Sequence, residues 1–263
     1  MENFNYHTPA SVADAAKLLE ANEDAKLISG GMTLLPTLKQ RLAAPSDLID
    51  LAKVPDIKGV CRDGDELVIG AMTTHADVHE NALVRELIPG LASLAGQIGD
   101  PAVRHRGTIG GSCANADPAA DYPAGTVGHG ATFITNKRKI AADDFFLGLF
   151  ETALEPGEII VGVRFPIPVW SHYQKLRHPA SGYAVVGVLV AQTKAGVRVA
   201  VTGAGPSVFR VKAMEEALTK DFSVKAIEGI KVDASDLNND IHASADYRAH
   251  VVTVLAKRAV AAR

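Results

Sequence analysis

Residues 29–36 read Ser-Gly-Gly-Met-Thr-Leu-Leu-Pro, and further along the chain residues 107–112 read Gly-Thr-Ile-Gly-Gly-Ser. Each segment combines a pair of glycines with small hydroxyl residues. Glycine has no Cβ and lets a phosphate approach the main chain, whose N–H groups at such a turn bind anions. Two segments of this kind can hold one diphosphate from two sides. The sequence therefore predicts a site for a dinucleotide cofactor.

The elements around the first segment predict a small α/β unit. A helix that Ser11 caps comes first, followed by a short buried strand over 26–29, the glycine pair, a helix over 33–42 and a strand over 47–51. A single glycine pair between a strand and a helix is equally typical of a structural tight turn. The second segment runs on into Asn-Ala-Asp-Pro-Ala-Ala-Asp at 115–121, and the two segments together favour a ligand site.

The rest of the chain alternates helices and strands before its pattern changes. We expect strands over 66–70, 131–134 and 158–163, helices over 74–81 and 87–98, and a helix that Asp117 caps with Pro118 at its first position. After Pro166-Ile-Pro168, two apolar strands over 183–191 and 196–202 precede helices at about 208–218, 224–229 and 245–262. Strands followed by helices predict an α+β C-terminal domain.

Composition limits the classes of function. With 47% hydrophobic residues, 22% charged residues and a net charge of -3, the chain has the makeup of an ordinary soluble protein without a basic stripe for nucleic acid. No apolar stretch is long enough to cross a bilayer, and the first residues do not read as a signal peptide, so we expect a cytoplasmic protein. The two cysteines, Cys61 and Cys113, exclude a four-thiolate iron–sulfur or zinc site within this chain.

The two glycine segments resemble the FAD-binding motifs of the flavin subunits of molybdenum hydroxylases, the medium subunits of the carbon monoxide dehydrogenase and xanthine dehydrogenase type. Residues 29–36 look like the first motif, and residues 107–112 with 116–121 look like the second. The resemblance covers essentially the whole chain, through further matches at 73–75, 99–104, 155–160, 173–175 and 247–248. Met32 and His105 depart from the family pattern, which favours glutamine or histidine at the first position and asparagine at the second.

The resemblance implies an α+β fold. An N-terminal α/β lobe and a second α+β lobe would sandwich FAD, as in flavoproteins of the vanillyl-alcohol-oxidase-like type, and a small α+β C-terminal domain would carry an antiparallel sheet and a helix bundle. We expect these three parts at residues 1–55, 56–167 and 168–263.

The resemblance also implies which residues bind FAD. The pyrophosphate would be held by Leu27, Ile28, Ser29, Gly30, Gly31, Met32, Thr33, Leu34, Thr108, Ile109, Gly110, Gly111 and Ser112. Asp121 would bond the ribityl or ribose region, with Asn115 and Asp117 on the same segment. The backbone of Ile159 or Ile160 would face the isoalloxazine, Lys175 would be a polar partner of the ring, and Tyr183 would lie against it, although an ordinary core strand residue remains an alternative for Tyr183. No catalytic residue and no metal ligand is assigned.

The implied function is that of an oxidoreductase subunit. Electrons would leave a substrate at a molybdopterin-containing large subunit, pass through the 2Fe–2S clusters of a small subunit and reach the FAD of this chain, which would pass them to an external acceptor. Such subunits would form a dimer of heterotrimers. Two alternatives stay open: a nucleotide-binding assembly subunit without a redox role, and a stand-alone flavin oxidoreductase with its own substrate.

Other chemistry-bearing residues have simpler interpretations. His75 and His79 are four apart on a predicted helix, a spacing that binds zinc, but no third ligand is evident. Cys113 beside the second motif is either a redox-sensitive thiol or a small filler, and the filler is favoured. The acid pairs at 143–144 and 215–216 could serve general acid–base catalysis, but no nucleophile accompanies them. We therefore expect these acids to lie on solvated faces.

Overall fold

The N-terminal part of the chain forms the predicted α/β unit. The computed structural model describes residues 1–263. Its first elements are β1 (Asn5–His7), α1 (Val12–Glu20), β2 (Lys26–Ile28), α2 (Leu34–Lys39) and β3 (Asp47–Asp50), and the sheet has the order β1-β3-β2 with both pairings parallel. Ser11 caps α1 as predicted, accepting a hydrogen bond of 3.0 Å from the N–H of Asp14. Strand β2 is only partly buried, because its residues line a cavity.

The central part of the chain places a five-stranded antiparallel sheet against short helices. Its strands are β4 (Val60–Asp63), β5 (Glu66–Gly70), β6 (Thr132–Thr135), β7 (Lys139–Ala141) and β10 (Ile160–Pro166), in the order β4-β5-β10-β6-β7. Strands β8 (Phe146–Gly148) and β9 (Glu151–Thr152) form a separate hairpin. The helices are α3 (His75–Glu80), α4 (Ala82–Leu87), α5 (Pro89–Gly96), α6 (Pro101–Arg104), α7 (Ile109–Asn115) and α8 (Asp121–His129).

The C-terminal part is an antiparallel sheet whose two faces are both covered. Strands β11 (Trp170–Arg177), β12 (Ala184–Thr193), β13 (Gly196–Thr202) and β14 (Phe209–Arg210) pair in chain order, and α9 (Lys212–Lys220) and α10 (Ala245–Ala261) follow. Val188 and Val199 face the core that contains these two helices, whereas Leu189 and Ala200 belong to the core of the central part. Burial on both faces explains why β12 reads as a nearly continuous apolar run.

Several predicted elements differ from the structure. The helix predicted over 87–98 is confirmed as α5 but starts at Pro89, because Pro89 lacks an N–H and Ile88 has left helical geometry at φ -139°. Helix α4, which ends at Leu87, was not predicted. Residues 224–229 hold only a 3-10 turn at Lys225–Ile227. Strand β11 was not predicted as a strand, because its sequence Trp-Ser-His-Tyr-Gln-Lys-Leu-Arg is mostly polar and only Ser171 and Tyr173 are buried.

The region around the second glycine segment also differs from prediction. Gly110 and Gly111 lie inside α7, which Thr108 caps by accepting a hydrogen bond of 3.1 Å from the N–H of Gly111. Asp117 caps no helix. Its carboxylate accepts a hydrogen bond of 2.9 Å from the N–H of Ala119 in a turn, and α8 starts later, at Asp121.

None of the helices combines the length and hydrophobicity that crossing a bilayer requires.

Candidate cofactor site

The two glycine segments meet at the wall of a cavity of about 580 Å³. The α/β unit contributes the stretch from Lys26 to Leu34, and the central part contributes residues around α7, the start of α8 and the start of β10. Ser181 and Tyr183, from the turn between β11 and β12, complete the wall. All three parts of the chain therefore contribute to one cavity.

The two segments touch each other directly. The hydroxyl of Thr108 donates a hydrogen bond of 3.1 Å to the hydroxyl of Ser29. A Cβ on Gly30 would lie 2.1 Å from the carbonyl oxygen of Arg106, and a Cβ on Gly111 would lie 2.4 Å from Oγ of Ser29. Only glycine allows this approach, so these glycines bring the segments together as well as exposing backbone.

The first segment carries a run of free main-chain donors. None of the N–H groups from Gly30 to Leu34 donates a hydrogen bond within the chain, and the first used N–H is that of Leu35, which donates to the carbonyl of Gly31 at 3.1 Å. Gly31 has φ +71°, which only glycine adopts readily. Consecutive free N–H groups around a left-handed residue form an anion-binding concavity. The donor set therefore fits a diphosphate.

The second segment supplies different donors from those expected. The N–H of Gly110 donates to the carbonyl of Ala71 at 2.9 Å, that of Gly111 donates to the hydroxyl of Thr108 at 3.1 Å, and that of Ser112 donates to the carbonyl of Thr108 at 3.0 Å. These N–H groups already donate hydrogen bonds within the chain and are not available to a ligand, because the segment is the first turn of α7 and is paired with residues 71–73. What it offers the cavity is the N–H of Thr108 and the hydroxyl of Ser112.

Asp121 lies at the base of the cavity in a buried polar cluster. The hydroxyl of Tyr173 donates a short hydrogen bond to its carboxylate, and Nζ of Lys175 donates to it at 2.8 Å. Burial raises the pKa of Asp121 and lowers that of Lys175, and the attraction between the two opposes both shifts. Lys175 does not line the cavity, because its side chain is only 1% exposed and lies behind Asp121.

Ile159 and Ile160 line the cavity where β10 begins. The N–H of Ile159 donates to the side-chain oxygen of Asn136 at 2.8 Å. The preceding Glu158 is buried and accepts hydrogen bonds of 2.7 Å from Thr135 and 3.0 Å from Arg138. Burial alone would raise the pKa of Glu158, but hydrogen bonds from Arg138, the N–H of Glu155 and Thr135 lower it to about 2. The ionised Glu158 therefore holds the turn that presents the two isoleucines.

Tyr183 lies at the cavity wall and is 42% exposed, so it is not a core strand residue. Burial of its hydroxyl and then the charges of Asp117 and Asp121 raise its pKa. Asp117 and Asn115 line the cavity as well. The side of the cavity nearest β12 is therefore acidic and aromatic.

Most of the residues that the sequence predicted as cofactor-binding line this cavity. The exceptions are Lys175 and Ile109, which is fully buried in the core. The sequence predicts no cofactor-binding role for the lining residues His75, Asp100, Val103, Leu154, Glu158 and Ser181. Several of them lie in the stretches at 73–75, 99–104 and 155–160 that match the family, and those matches are the signal by which the sequence could reveal them.

The other candidate residues have structural partners. No group of three metal-binding side chains exists in the structure, and Nδ1 of His79 is hydrogen-bonded to the carbonyl of Ala92 at 2.8 Å. Cys113 is buried, and burial raises the pKa of its thiol, as expected for a filler rather than a reactive thiol. Glu215 is buried and paired with Arg210 at 2.7 Å, so the solvated face predicted for it is wrong.

Known proteins resemble the chain over its whole length. Residues 2–168 match the family model described as "FAD binding domain in molybdopterin dehydrogenase". The carbon monoxide dehydrogenase medium chain of Hydrogenophaga pseudoflava is 36% identical over 98% of this chain and 96% of its own length. The nicotine 6-hydroxylase medium subunit of Paenarthrobacter nicotinovorans is 35% identical over 98% of this chain and 96% of its own length.

Solved structures agree with these relatives. A chain of the carbon monoxide dehydrogenase from Hydrogenophaga pseudoflava that lacks the Mo-pyranopterin moiety superposes with a TM-score of 0.90, covering 99% of this chain and 97% of that one at 36% identity. A chain of quinoline 2-oxidoreductase from Pseudomonas putida 86 gives a TM-score of 0.90 at 29% identity, covering 99% of this chain and 96% of that one. The predicted α+β FAD-binding fold is confirmed.

Proposed function

This chain belongs to the family of FAD-binding domains in molybdopterin dehydrogenases, and on that premise we propose that it is the subunit that carries electrons out of a molybdenum hydroxylase complex. It is an oxidoreductase subunit, the medium subunit of such an enzyme, and its cofactor is FAD. In the proposed role it accepts electrons from the 2Fe–2S clusters of a partner subunit and passes them to an external acceptor.

The observation that carries the placement of FAD is the run of free N–H groups from Gly30 to Leu34. We propose that the diphosphate binds there, with the N–H of Thr108 and the hydroxyl of Ser112 on the opposite side. Neutral main-chain donors suit this group, since a diphosphate needs several hydrogen bonds in a fixed geometry. Leu27, Ile28 and Ser29 precede the run and line the same wall.

The remaining contacts follow from where each residue lines the cavity. We propose that Asp121 accepts hydrogen bonds from the ribityl or ribose hydroxyls, with Asn115 and Asp117 beside it. The backbone at Ile159 and Ile160 and the ring of Tyr183 would border the isoalloxazine. Lys175 would act through Asp121 and favour the ionised form of that buried carboxylate, because its Nζ donates hydrogen bonds to Asp121 and to the carbonyl of Gln97 at 3.2 Å.

The chain's own residues bind and orient the cofactor and exclude water. Bound FAD supplies the redox chemistry, because its isoalloxazine ring takes up and releases electrons. No general base is required of this chain for electron transfer. Asp121 is already paired with Lys175, and Glu158 is held by Arg138.

The partners are part of the same proposal. Cys61 and Cys113 are too few for a four-thiolate 2Fe–2S cluster, and no group of three His, Cys, Asp or Glu side chains in the structure could hold a metal, so the proposed clusters lie on another chain. Relatives named as medium chains and medium subunits support a large molybdopterin subunit and a small iron–sulfur subunit as partners. We propose a dimer of heterotrimers, which the mass of the native complex tests.

The test is to purify the chain from its native host together with whatever remains attached. We expect one FAD per chain, and molybdenum and iron on the attached chains. The flavin absorbance band in blue light should disappear when a substrate of the molybdenum subunit is added. A colourless chain would instead indicate an assembly subunit. Turnover by the isolated chain on a substrate of its own would indicate a stand-alone oxidoreductase.

A further inference from the structure

His75 is held against the second glycine segment by main-chain pairing. Its N–H donates to the carbonyl of Gly107 at 3.0 Å, and the N–H of Ile109 donates to the carbonyl of Thr73 at 3.1 Å. The hydroxyl of Thr74 caps α3 by accepting a hydrogen bond of 3.1 Å from the N–H of Asp77. The position of the imidazole is therefore set by the segment beside it, and the ring forms part of the cavity wall.

The imidazole occupies the space that a side chain at position 107 would fill. A Cβ on Gly107 would lie 2.5 Å from Nε2 of His75, and a Cβ on Gly30, from the first segment, would lie 2.7 Å from Cα of Gly107. The ring of His75 therefore packs against Gly107, and Gly107 in turn packs against Gly30. Nε2 lies at the point where the two glycine segments meet.

The other ring nitrogen decides where the proton sits. His75 is only 4% exposed, and its Nδ1 is buried without a hydrogen-bond partner. A neutral imidazole carries one N–H and one lone pair. Because an unpaired buried N–H is less tolerated than an unpaired acceptor, the proton belongs on Nε2. Burial and the charge of Arg104 lower the pKa of His75 to about 4, so the ring is neutral at pH 7.

His129 shows what a purely structural histidine looks like in this chain. It is buried as well, and burial lowers its pKa to about 4. Both of its nitrogens have partners, however: Nδ1 bonds the carbonyl of Gly125 at 2.7 Å and Nε2 bonds the hydroxyl of Ser171 at 2.9 Å. His75 shares the burial and the neutral ring but has no side-chain partner, and it lines the cavity.

We propose that His75 is a cofactor-binding residue that donates a hydrogen bond from Nε2 to an oxygen of FAD where the two glycine segments meet, an assignment that rests on the function proposed for the chain. The acceptor is a phosphate oxygen, because the diphosphate is proposed to lie between these two segments. An uncharged donor is suited to this place, because a buried ammonium or guanidinium without a partner would carry a much larger desolvation cost.

The test compares His75→Leu with His75→Gln in the full-length chain, alone and with any subunits that co-purify. Glutamine keeps an N–H donor near the position of Nε2, whereas leucine has none. Because a hydrogen bond to a charged group is worth about 10-fold to 100-fold in affinity, we expect FAD to bind that much more weakly to His75→Leu and within about threefold of wild type to His75→Gln. The melting temperatures of the two FAD-free variants should agree.

Two results would overturn the assignment: unchanged FAD affinity in His75→Leu, or an equal loss in both variants. If His75→Leu does not fold, ¹⁵N spectra of wild-type chain labelled at histidine decide the matter, with His75→Gln identifying the signal. Adding FAD should then shift and sharpen the Nε2–H resonance, and an unchanged resonance would contradict the assignment. A wild-type chain that binds no FAD would instead contradict the proposed site as a whole.

Discussion

The hydroxyl of Thr108 donates a hydrogen bond of 3.1 Å to the hydroxyl of Ser29, across 79 positions of sequence. The same hydroxyl of Thr108 accepts from the N–H of Gly111 and so caps α7. One side chain therefore starts a helix and ties the two cofactor segments together.

Replacing Thr108 by valine should weaken both folding and FAD binding. Loss of the cap should lower the free energy of unfolding by about 0.5–2 kcal/mol. Ser11→Ala is the matched control, since it removes the cap of α1 and Ser11 does not line the cavity. Urea unfolding and FAD titration of both variants check this. An FAD affinity that falls equally in the two would show that the Thr108–Ser29 contact is irrelevant to the site.

Replacing Gly30 by alanine should force the two glycine segments apart. The new Cβ would lie 2.1 Å from the carbonyl oxygen of Arg106, which is backbone and cannot turn away. We expect a cost of about 1–3 kcal/mol in stability, as for overpacking, and loss of FAD binding. Gly229→Ala is the control, because nothing lies within 4 Å of a Cβ at that position. Thermal unfolding and flavin content measure both effects, and retention of full flavin content by Gly30→Ala would contradict the expectation.

Replacing Asp121 by asparagine should destabilise the chain far more than replacing both members of its ion pair. The single substitution leaves the ammonium of Lys175 buried at 1% exposure without its counter-charge. Breaking a buried pair in this way costs about 3–5 kcal/mol, whereas removing both charges is often nearly neutral. The free energies of unfolding of Asp121→Asn, Lys175→Met and the double variant, measured with denaturant, form a double-mutant cycle that gives the coupling between the two charges. Additive losses in the double variant would mean that the two charges are not coupled.

The free energy of unfolding should fall in acid because Glu158 becomes protonated. Its pKa is lowered from 4.5 to about 2 in the folded chain, so the unfolded chain binds the proton more readily. The contribution of Glu158 is therefore complete above pH 4.5 and is lost as the pH falls from 4.5 to about 2. Glu158→Gln should be less stable at neutral pH and should lose the part of the acid dependence that arises in this window. Melting temperatures across the window check this, and a difference between variant and wild type that stays constant with pH would contradict it.

Local patterns predicted most elements correctly where neighbours in sequence decide the structure. The cap at Ser11, strand β5 over Glu66–Gly70 and helix α10 over Ala245–Ala261 lie where the residues indicated. The errors fall where a local signal competes with another influence. Helix α4, which ends just before Pro89, was not predicted, and β11 is a strand because it pairs with β12 and not because of its own composition.

The sequence by itself determined that two glycine segments exist, that each can bring backbone close to a phosphate, and that the chain resembles FAD-binding subunits. These properties reside in residue types and their spacing, since glycine alone lacks a Cβ. Only the tertiary structure decided which donors remain available. The N–H of Gly110 is used by the carbonyl of Ala71, the N–H groups from Gly30 to Leu34 are free, and Lys175 lies behind Asp121. A hydrogen-bonding group is free or used according to the atoms that the fold places beside it, and those atoms come from residues distant in the sequence.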